Sequence, residues 1–111
     1  TFPYNGTTTT CEALWMGVPV ICLAGRVHAA RVGASLLSRV GLADLVAPAE
    51  DAYVGIAVRL ARDRDALAGI RRRLRDDMRA STLCDARGFT RAFEQTIRGL
   101  WTGWCRTQEG A

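Results

Sequence analysis

A hydroxyl-rich turn before a predicted helix carries the residues best suited to chemistry in this chain. It lies in the segment from Asn5 to Pro19, where a glycine and four threonines precede a short amphipathic stretch. The first four amides of a helix lack intrahelical acceptors, and the aligned peptide dipoles make that end electropositive. A helix start of this kind suits a phosphate group. The candidate phosphate ligands in this turn are Gly6, Thr7, Thr8 and Thr9.

Glu12 lies one helical turn after Thr8 and has two possible roles. Its carboxylate would repel a phosphate but can accept two hydrogen bonds from a ribose diol, which predicts a nucleotide with its diphosphate on the helix start. The spacing Thr9-x-x-Glu12 also matches a capping box, in which Glu12 reaches back to the amide of Thr9. Capping boxes are common helix starts, so local sequence alone favours the structural role.

Helices and strands alternate around this turn. The pattern predicts a helix from Thr8 or Thr9 to Met16, with Cys11, Leu14, Trp15 and Val18 as its apolar face and Gly17 as its terminator. The remaining predicted elements are a buried strand at Val18–Ala24, a helix at His28–Val40, a strand at Asp44–Ala47, and helices at Ala52–Arg62 (capped by Asp51), Asp65–Arg79 and from Asp85 onwards. The order α-β-α-β-α-α-α predicts an α/β fold with right-handed parallel crossovers and an incomplete parallel sheet. We expect the other strands upstream of Thr1, in a longer protein.

Composition restricts the class of protein. The 111 residues are 49% hydrophobic and 23% charged, which is typical of one small folded domain. No apolar run approaches the ~20 residues of a membrane-spanning helix, and no signal-peptide pattern is present, so we expect no membrane association. Four irregularly spaced cysteines and one histidine, His28, predict no metal site. Cys11 and Cys22 are interpreted as small core residues, which fits a reducing environment, so we expect a cytoplasmic location.

The net charge of +4 does not by itself predict a nucleic-acid partner. All basic residues are arginines, and the densest run is Arg71 to Arg73. Asp76 and Asp77 follow at i+4 spacing from Arg72 and Arg73, so a solvated, salt-bridged helix face is favoured over nucleic-acid binding.

Two segments together give a family resemblance. Asn5 to Val20 (NGTTTTCEALWMGVPV) and Leu23 to Leu37 (LAGRVHAARVGASLL) resemble the C-terminal part of the O-linked N-acetylglucosamine transferase family, glycosyltransferase family 41, which includes the SPINDLY-type O-fucosyltransferases. The likeness continues through Asp51–Val54, Met78–Ser81 and Leu83–Asp85 to Leu100–Trp101. It implies a GT-B fold of two Rossmann-like halves, usually preceded by tetratricopeptide repeats. This chain would be the end of the second half, which holds the nucleotide sugar.

The resemblance assigns roles residue by residue. Thr8 and Thr9 match paired threonines that contact the UDP diphosphate, and Glu12 matches an acidic position, Asp in animal members, that holds the ribose. Gly6 belongs to the turn itself, while Thr7 stands where animal enzymes have a histidine. The resemblance implies that 1–82 belongs to the nucleotide-sugar-binding domain. It also implies that 83–111 is a C-terminal helix whose aromatic stripe packs on the missing N-terminal half; a dimer surface is the alternative.

The implied activity is transfer of a sugar from a nucleotide diphosphate to Ser or Thr hydroxyls of proteins, with N-acetylglucosamine from UDP-GlcNAc as the expected donor. The family's catalytic residues lie upstream, so no catalytic residue is expected here, and the isolated chain should be inactive. No cofactor or metal is implied, and the protein acceptor would be bound by upstream regions. The donor base and sugar stay open between UDP-GlcNAc and GDP-fucose. The competing hypothesis is a non-catalytic, half-Rossmann interaction module without nucleotide binding.

Overall fold

The computed structural model describes residues 2–109, in which five α-helices alternate with two short strands. These elements are α1 (Thr8–Trp15), β1 (Cys22–Leu23), α2 (Val32–Arg39), β2 (Val46–Ala47), α3 (Glu50–Arg62), α4 (Arg64–Ala80) and α5 (Ala86–Glu109). Single turns of 3-10 helix at His28–Ala30 and Ala43–Leu45 precede α2 and β2. The predicted order α-β-α-β-α-α-α is confirmed.

The two strands form a parallel sheet, as the sequence predicts. Cys22 pairs with Val46 and Leu23 pairs with Ala47, and the amide of Ala24 donates to the carbonyl of Ala47 at 2.8 Å. The predicted length of the first strand is wrong, because only two of the residues in Val18–Ala24 are in the ladder. A strand requires a neighbour to pair with, and β2 offers two residues before Pro48.

The helices cover a core in which Leu14, Leu37 and Leu74 are fully buried. The predicted apolar face of α1 is only partly correct, because Trp15 and Val18 are 37% and 41% exposed. Gly17, between these two residues, is buried. Its φ of 72° ends the helix as predicted.

The starts of the later helices depend on individual aspartates. Asp63 Oδ1 accepts from the amide of Ala66 at 2.9 Å at the start of α4. Asp85 Oδ1 accepts from the amide of Gly88 at 2.8 Å, which confirms the predicted cap of α5. The predicted Asp51 cap is wrong, since α3 begins at Glu50 and its N-cap is Ala49. Asp51 instead lies in the first turn, where a negative charge complements the helix dipole.

Helix α5 is 24 residues long and lies outside this core. The radius of gyration is 18.1 Å, whereas a compact chain of this length would have about 13 Å. Six large apolar side chains along α5 are each at least half exposed: Phe89, Phe93, Ile97, Leu100, Trp101 and Trp104. Within residues 2–109, neither α5 nor any other helix has the length and hydropathy needed to cross a membrane.

The basic run in α4 forms an ion pair on its solvent face. Arg73 Nε lies 3.3 Å from Asp77 Oδ2, in the predicted i,i+4 relationship, and both side chains are largely exposed. The arginine run therefore has at least part of its charge neutralised within its own helix.

Candidate functional site

The N-cap and the first two residues of α1 are exposed threonines. Thr7 is the N-cap residue of α1, and Thr7, Thr8 and Thr9 are all exposed, while Gly6 is half-buried. The first backbone bond of the helix runs from the amide of Cys11 to the carbonyl of Thr7 at 3.0 Å. The amides of Thr8, Thr9 and Thr10 precede that bond, so they belong to the group that a helix cannot satisfy internally.

Nothing in the first turn of α1 neutralises this end of the helix. The turn contains no acidic residue, and the side chain of Thr7 makes no capping hydrogen bond. The positive end of the helix dipole therefore coincides with amides that lack an acceptor within the helix and with exposed threonines, which is the combination that favours an anion.

Thr10 differs from the three threonines before it. It is 7% exposed, and its Oγ1 donates to the carbonyl of Gly6 at 2.8 Å. This bond closes the turn onto the helix, so Thr10 has a structural role while Thr7, Thr8 and Thr9 stay accessible.

Glu12 is exposed on α1, and the i,i+4 spacing places it on the same face as Thr8. The capping box is not formed. A capping box requires its threonine at the N-cap, but Thr9 lies inside the helix, two residues after the N-cap Thr7. The structural alternative for Glu12 is therefore wrong, and the ribose role stays a prediction.

Asn5 fixes the turn from its other side, a role that the sequence did not reveal. It is 3% exposed, and its backbone amide donates to the carbonyl of Ala29 at 2.8 Å. Its Oδ1 accepts from the amide of Gly33 at 3.1 Å and from Cys22 Sγ at 3.3 Å. These side-chain partners are 28 and 17 positions away, so no local pattern could have identified them.

A shallow cleft of about 270 Å³ lies at the carboxyl ends of both strands. Its walls include Leu23 at the end of β1, Ala24 and Gly25 after it, and Pro48 to Glu50 after β2. Parallel α/β sheets bind ligands at this edge. The lining does not include Thr8, Thr9 or Glu12, so the cleft and the threonine turn are separate features.

The thiols near the site are unreactive in character. Cys22 is buried, and burial raises the pKa of its thiol. Burial also raises the pKa of the half-buried Cys11, and the nearby charges of Cys84 and Glu12 add to that shift. Both thiols therefore stay protonated near neutral pH, as small core residues do. In the described part of the chain, no group of three or more His, Cys, Asp or Glu residues could hold a metal ion.

Sequence comparison finds a matching family and similar proteins. The profile of glycosyl transferase family 41 matches residues 1–93. A protein of Hordeum vulgare named "Probable UDP-N-acetylglucosamine--peptide N-acetylglucosaminyltransferase SPINDLY" is 53% identical over 105 residues, covering 95% of this chain and 11% of the relative. The UDP-N-acetylglucosamine--peptide N-acetylglucosaminyltransferase of Caenorhabditis elegans is 36% identical over 97 residues, covering 87% of this chain and 8% of the relative.

A solved structure has the same fold as this chain. The K341M mutant of the Thermobaculum terrenum O-GlcNAc transferase superposes with a TM-score of 0.88 at 43% identity, covering 96% of this chain and 21% of that one. The likeness confirms the predicted fold class, a partial Rossmann-like half of a GT-B enzyme. The chain thus spans about a tenth of the length of the plant relative.

Proposed function

Because the chain belongs to glycosyl transferase family 41, we propose that it is the donor-binding part of a protein O-glycosyltransferase. The reaction would move N-acetylglucosamine from UDP-GlcNAc to Ser or Thr hydroxyls of proteins. The names of the barley and nematode relatives support this donor and a peptide acceptor. The chain spans a small share of each relative, so the residues that bind the acceptor would lie in other segments of the protein.

The observation that carries the proposal is the uncapped start of α1. Its first-turn amides have no acceptor within the helix, Thr8 and Thr9 are exposed there, and the first turn contains no acidic residue. When the sugar leaves, negative charge develops on the UDP diphosphate. Oriented donors that already point at that charge stabilise the transition state without reorganisation. We assign this electrostatic role to Thr8, Thr9 and the helix dipole, with Gly6 and Thr7 completing the turn.

We assign Glu12 to the ribose. It is exposed and shares a helix face with Thr8, so a nucleotide held at the helix start would extend along that face. A carboxylate accepts hydrogen bonds from two hydroxyls at once, which matches a ribose diol. We expect no metal ion or other cofactor to be needed, because amide and hydroxyl donors supply the charge stabilisation.

We further propose that α5 packs against an upstream part of the same polypeptide. The apolar stripe from Phe89 to Trp104 is exposed over the whole helix, and such a surface on a folded protein marks an interaction site. The relatives that the chain matches are about ten times longer, which provides the segment that would cover it.

The decisive experiment is titration calorimetry of UDP and of GDP against the complete natural gene product. Thr8→Ala and Thr9→Ala should each weaken binding of the nucleotide by about tenfold, because each removes a hydrogen bond to a charged group. Thr96→Ala is the matched control, since Thr96 is an exposed helical threonine on α5. Circular dichroism should show unchanged folding in all three variants.

Each outcome separates the hypotheses. UDP binding that Thr8→Ala weakens and Thr96→Ala does not supports the proposal. Preferential binding of GDP would keep the site and change the donor to a GDP-sugar. If the wild-type protein binds neither nucleotide, the proposal is wrong, and the domain is a non-catalytic interaction module.

A further inference from the structure

Asn5 connects the donor turn to two other elements of the fold. Its backbone amide donates to the 3-10 turn before α2, and its side chain bonds to β1 and to the second residue of α2. We propose that Asn5 is a positioning residue for the nucleotide diphosphate, which fixes the start of α1 relative to the sheet. This inference rests on the function proposed above and adds to it a residue that never touches the donor.

The hydrogen bonds of Asn5 are buried, and an amide oxygen is well suited to them. Oδ1 has two lone pairs and accepts from both the Gly33 amide and the Cys22 thiol. An alanine at this position would remove the acceptor and leave the Gly33 amide without it in a buried site. Unsatisfied buried amides are costly, so the local backbone would shift to satisfy them.

The space around this bond is too small for a side chain at position 33. A Cβ on Gly33 would lie 2.6 Å from Cys22 Sγ and 3.2 Å from Asn5 Oδ1. Glycine at 33 is therefore what lets α2 approach the side chain of Asn5. We call Asn5, Cys22 and Gly33 the anchor cluster.

The anchor cluster acts on the site through a very short connection. Asn5 is directly followed by Gly6, whose carbonyl is held by the Thr10 hydroxyl at 2.8 Å. The exposed residues Thr7 to Thr9 lie between these two fixed points. Binding groups lose affinity when they move by even an ångström from the productive position, because the ligand must then pay to order them. Loss of the Asn5 hydrogen bonds should therefore weaken donor binding, and not only lower the stability of the fold.

The first test measures the dissociation constant of UDP, or of GDP if that is the nucleotide bound, for Asn5→Ala in the complete gene product. We expect binding about tenfold weaker than wild type. Ile56→Val is the control, because Ile56 is a buried core residue of α3 outside the anchor cluster. It should lower the melting temperature while leaving the dissociation constant unchanged at a temperature where both variants are folded.

The second test is a rescue from the opposite side of the cluster. Gly33→Ala should weaken nucleotide binding by about tenfold, because its Cβ displaces Cys22 Sγ and Asn5. The double variant Gly33→Ala/Cys22→Ala removes the sulfur that the new Cβ would meet at 2.6 Å and leaves only the contacts at 3.2 Å with Asn5 Oδ1 and 3.3 Å with the Cβ of residue 22. A shift of a few tenths of an ångström relieves these contacts and keeps the amide of residue 33 opposite Asn5 Oδ1. Binding by the double variant should return to within about twofold of wild type, as volume-conserving exchanges are tolerated best.

The outcomes distinguish this inference from the function on which it rests. If the wild-type protein binds neither UDP nor GDP, the proposed function is wrong and the positioning role is wrong with it. If wild type binds and Asn5→Ala binds equally well, only the positioning role is overturned. Should Asn5→Ala fail to fold, the Gly33 pair decides, since equal affinities for the single and double variants would overturn the inference.

Discussion

Two regions of this chain have similar amphipathic patterns, but one buries its apolar face and the other exposes it. Helices α3 and α4 in the α/β unit, which we define as residues 5–80, bury apolar side chains such as Ile56, Leu74 and Met78 in a shared core. Helix α5 has a stronger aromatic stripe, yet its rings stack on one another along a single helix. Phe89 and Phe93 have centroids 6.2 Å apart, and Trp101 and Trp104 are 5.1 Å apart. The difference teaches that an apolar face specifies burial only where a partner surface is present.

The largest expected effect is on stability and compares Leu74 with Trp101. Leu74→Ala should lower the free energy of unfolding of the 111-residue chain by about 2–5 kcal/mol, because Leu74 is fully buried. Trp101→Ala should change it by less than about 0.5 kcal/mol, since Trp101 is 62% exposed. Urea denaturation followed by circular dichroism measures both. In the complete gene product, Trp101→Ala should destabilise the protein by well over about 0.5 kcal/mol if the apolar stripe of α5 is covered there. Equal losses of stability in the 111-residue chain and in the complete gene product would contradict the proposed packing of α5.

The next effect is on ligand binding and compares two exposed carboxylates, Glu12 and Glu94. Glu12→Gln should weaken UDP binding by about tenfold, because the neutral amide is a poorer acceptor for a ribose diol than a carboxylate is. Glu94→Gln, on α5, should leave the affinity unchanged. Calorimetry on the complete gene product gives both values. Unchanged affinity for Glu12→Gln would eliminate the ribose role.

A smaller effect compares Arg75 with Arg98. Arg75 Nε donates to the carbonyl of Trp15 at 2.7 Å, and its guanidinium carbon lies 5.6 Å from the centre of the Trp15 ring. Arg75→Ala should therefore cost about 1 kcal/mol of stability by loosening α4 from the end of α1. Arg98→Ala on the exposed surface of α5 should cost almost nothing. Equal losses in thermal denaturation would mean that the Arg75 contacts contribute nothing specific.

The smallest effect concerns pH and compares Cys22 with Cys105. Burial raises the pKa of the Cys22 thiol, whereas Cys105 on α5 is only half-buried. Iodoacetamide at pH 8 should therefore label Cys105 before Cys22, as read by peptide mass spectrometry. The neutral Cys22 thiol stabilises the folded state fully below the pKa of an unfolded cysteine, and this contribution disappears as the pH rises through the higher folded pKa. Cys22→Ala should lessen the alkaline loss of stability, and a loss of the same size in that variant would contradict the shift.

Local chemistry was sufficient for several elements. Gly17 ends α1 because glycine tolerates its positive φ, and Asp85 caps α5 because its carboxylate reaches the amide of Gly88. The alternation of helices and strands could be predicted because the spacing of apolar residues differs between a helix and a strand. The predicted capping box of Thr9 and Glu12 was wrong because the sequence offers several threonines as the N-cap residue. The structure begins the helix after Thr7, not after Thr9.

The sequence by itself determined the order of the elements and the hydroxyl-rich turn with its candidate ligands, because these depend on neighbouring residues. It also determined the family, because matching segments lie along most of the chain. Only the tertiary structure decided the burial of Asn5 and the two-residue length of β1. It also decided that Thr10 is buried and bonded to Gly6 while the threonines before it are exposed. These features depend on packing and on hydrogen bonds to elements distant in the chain. Sequence spacing cannot supply those contacts, since they form only when α1, β1 and α2 are brought together.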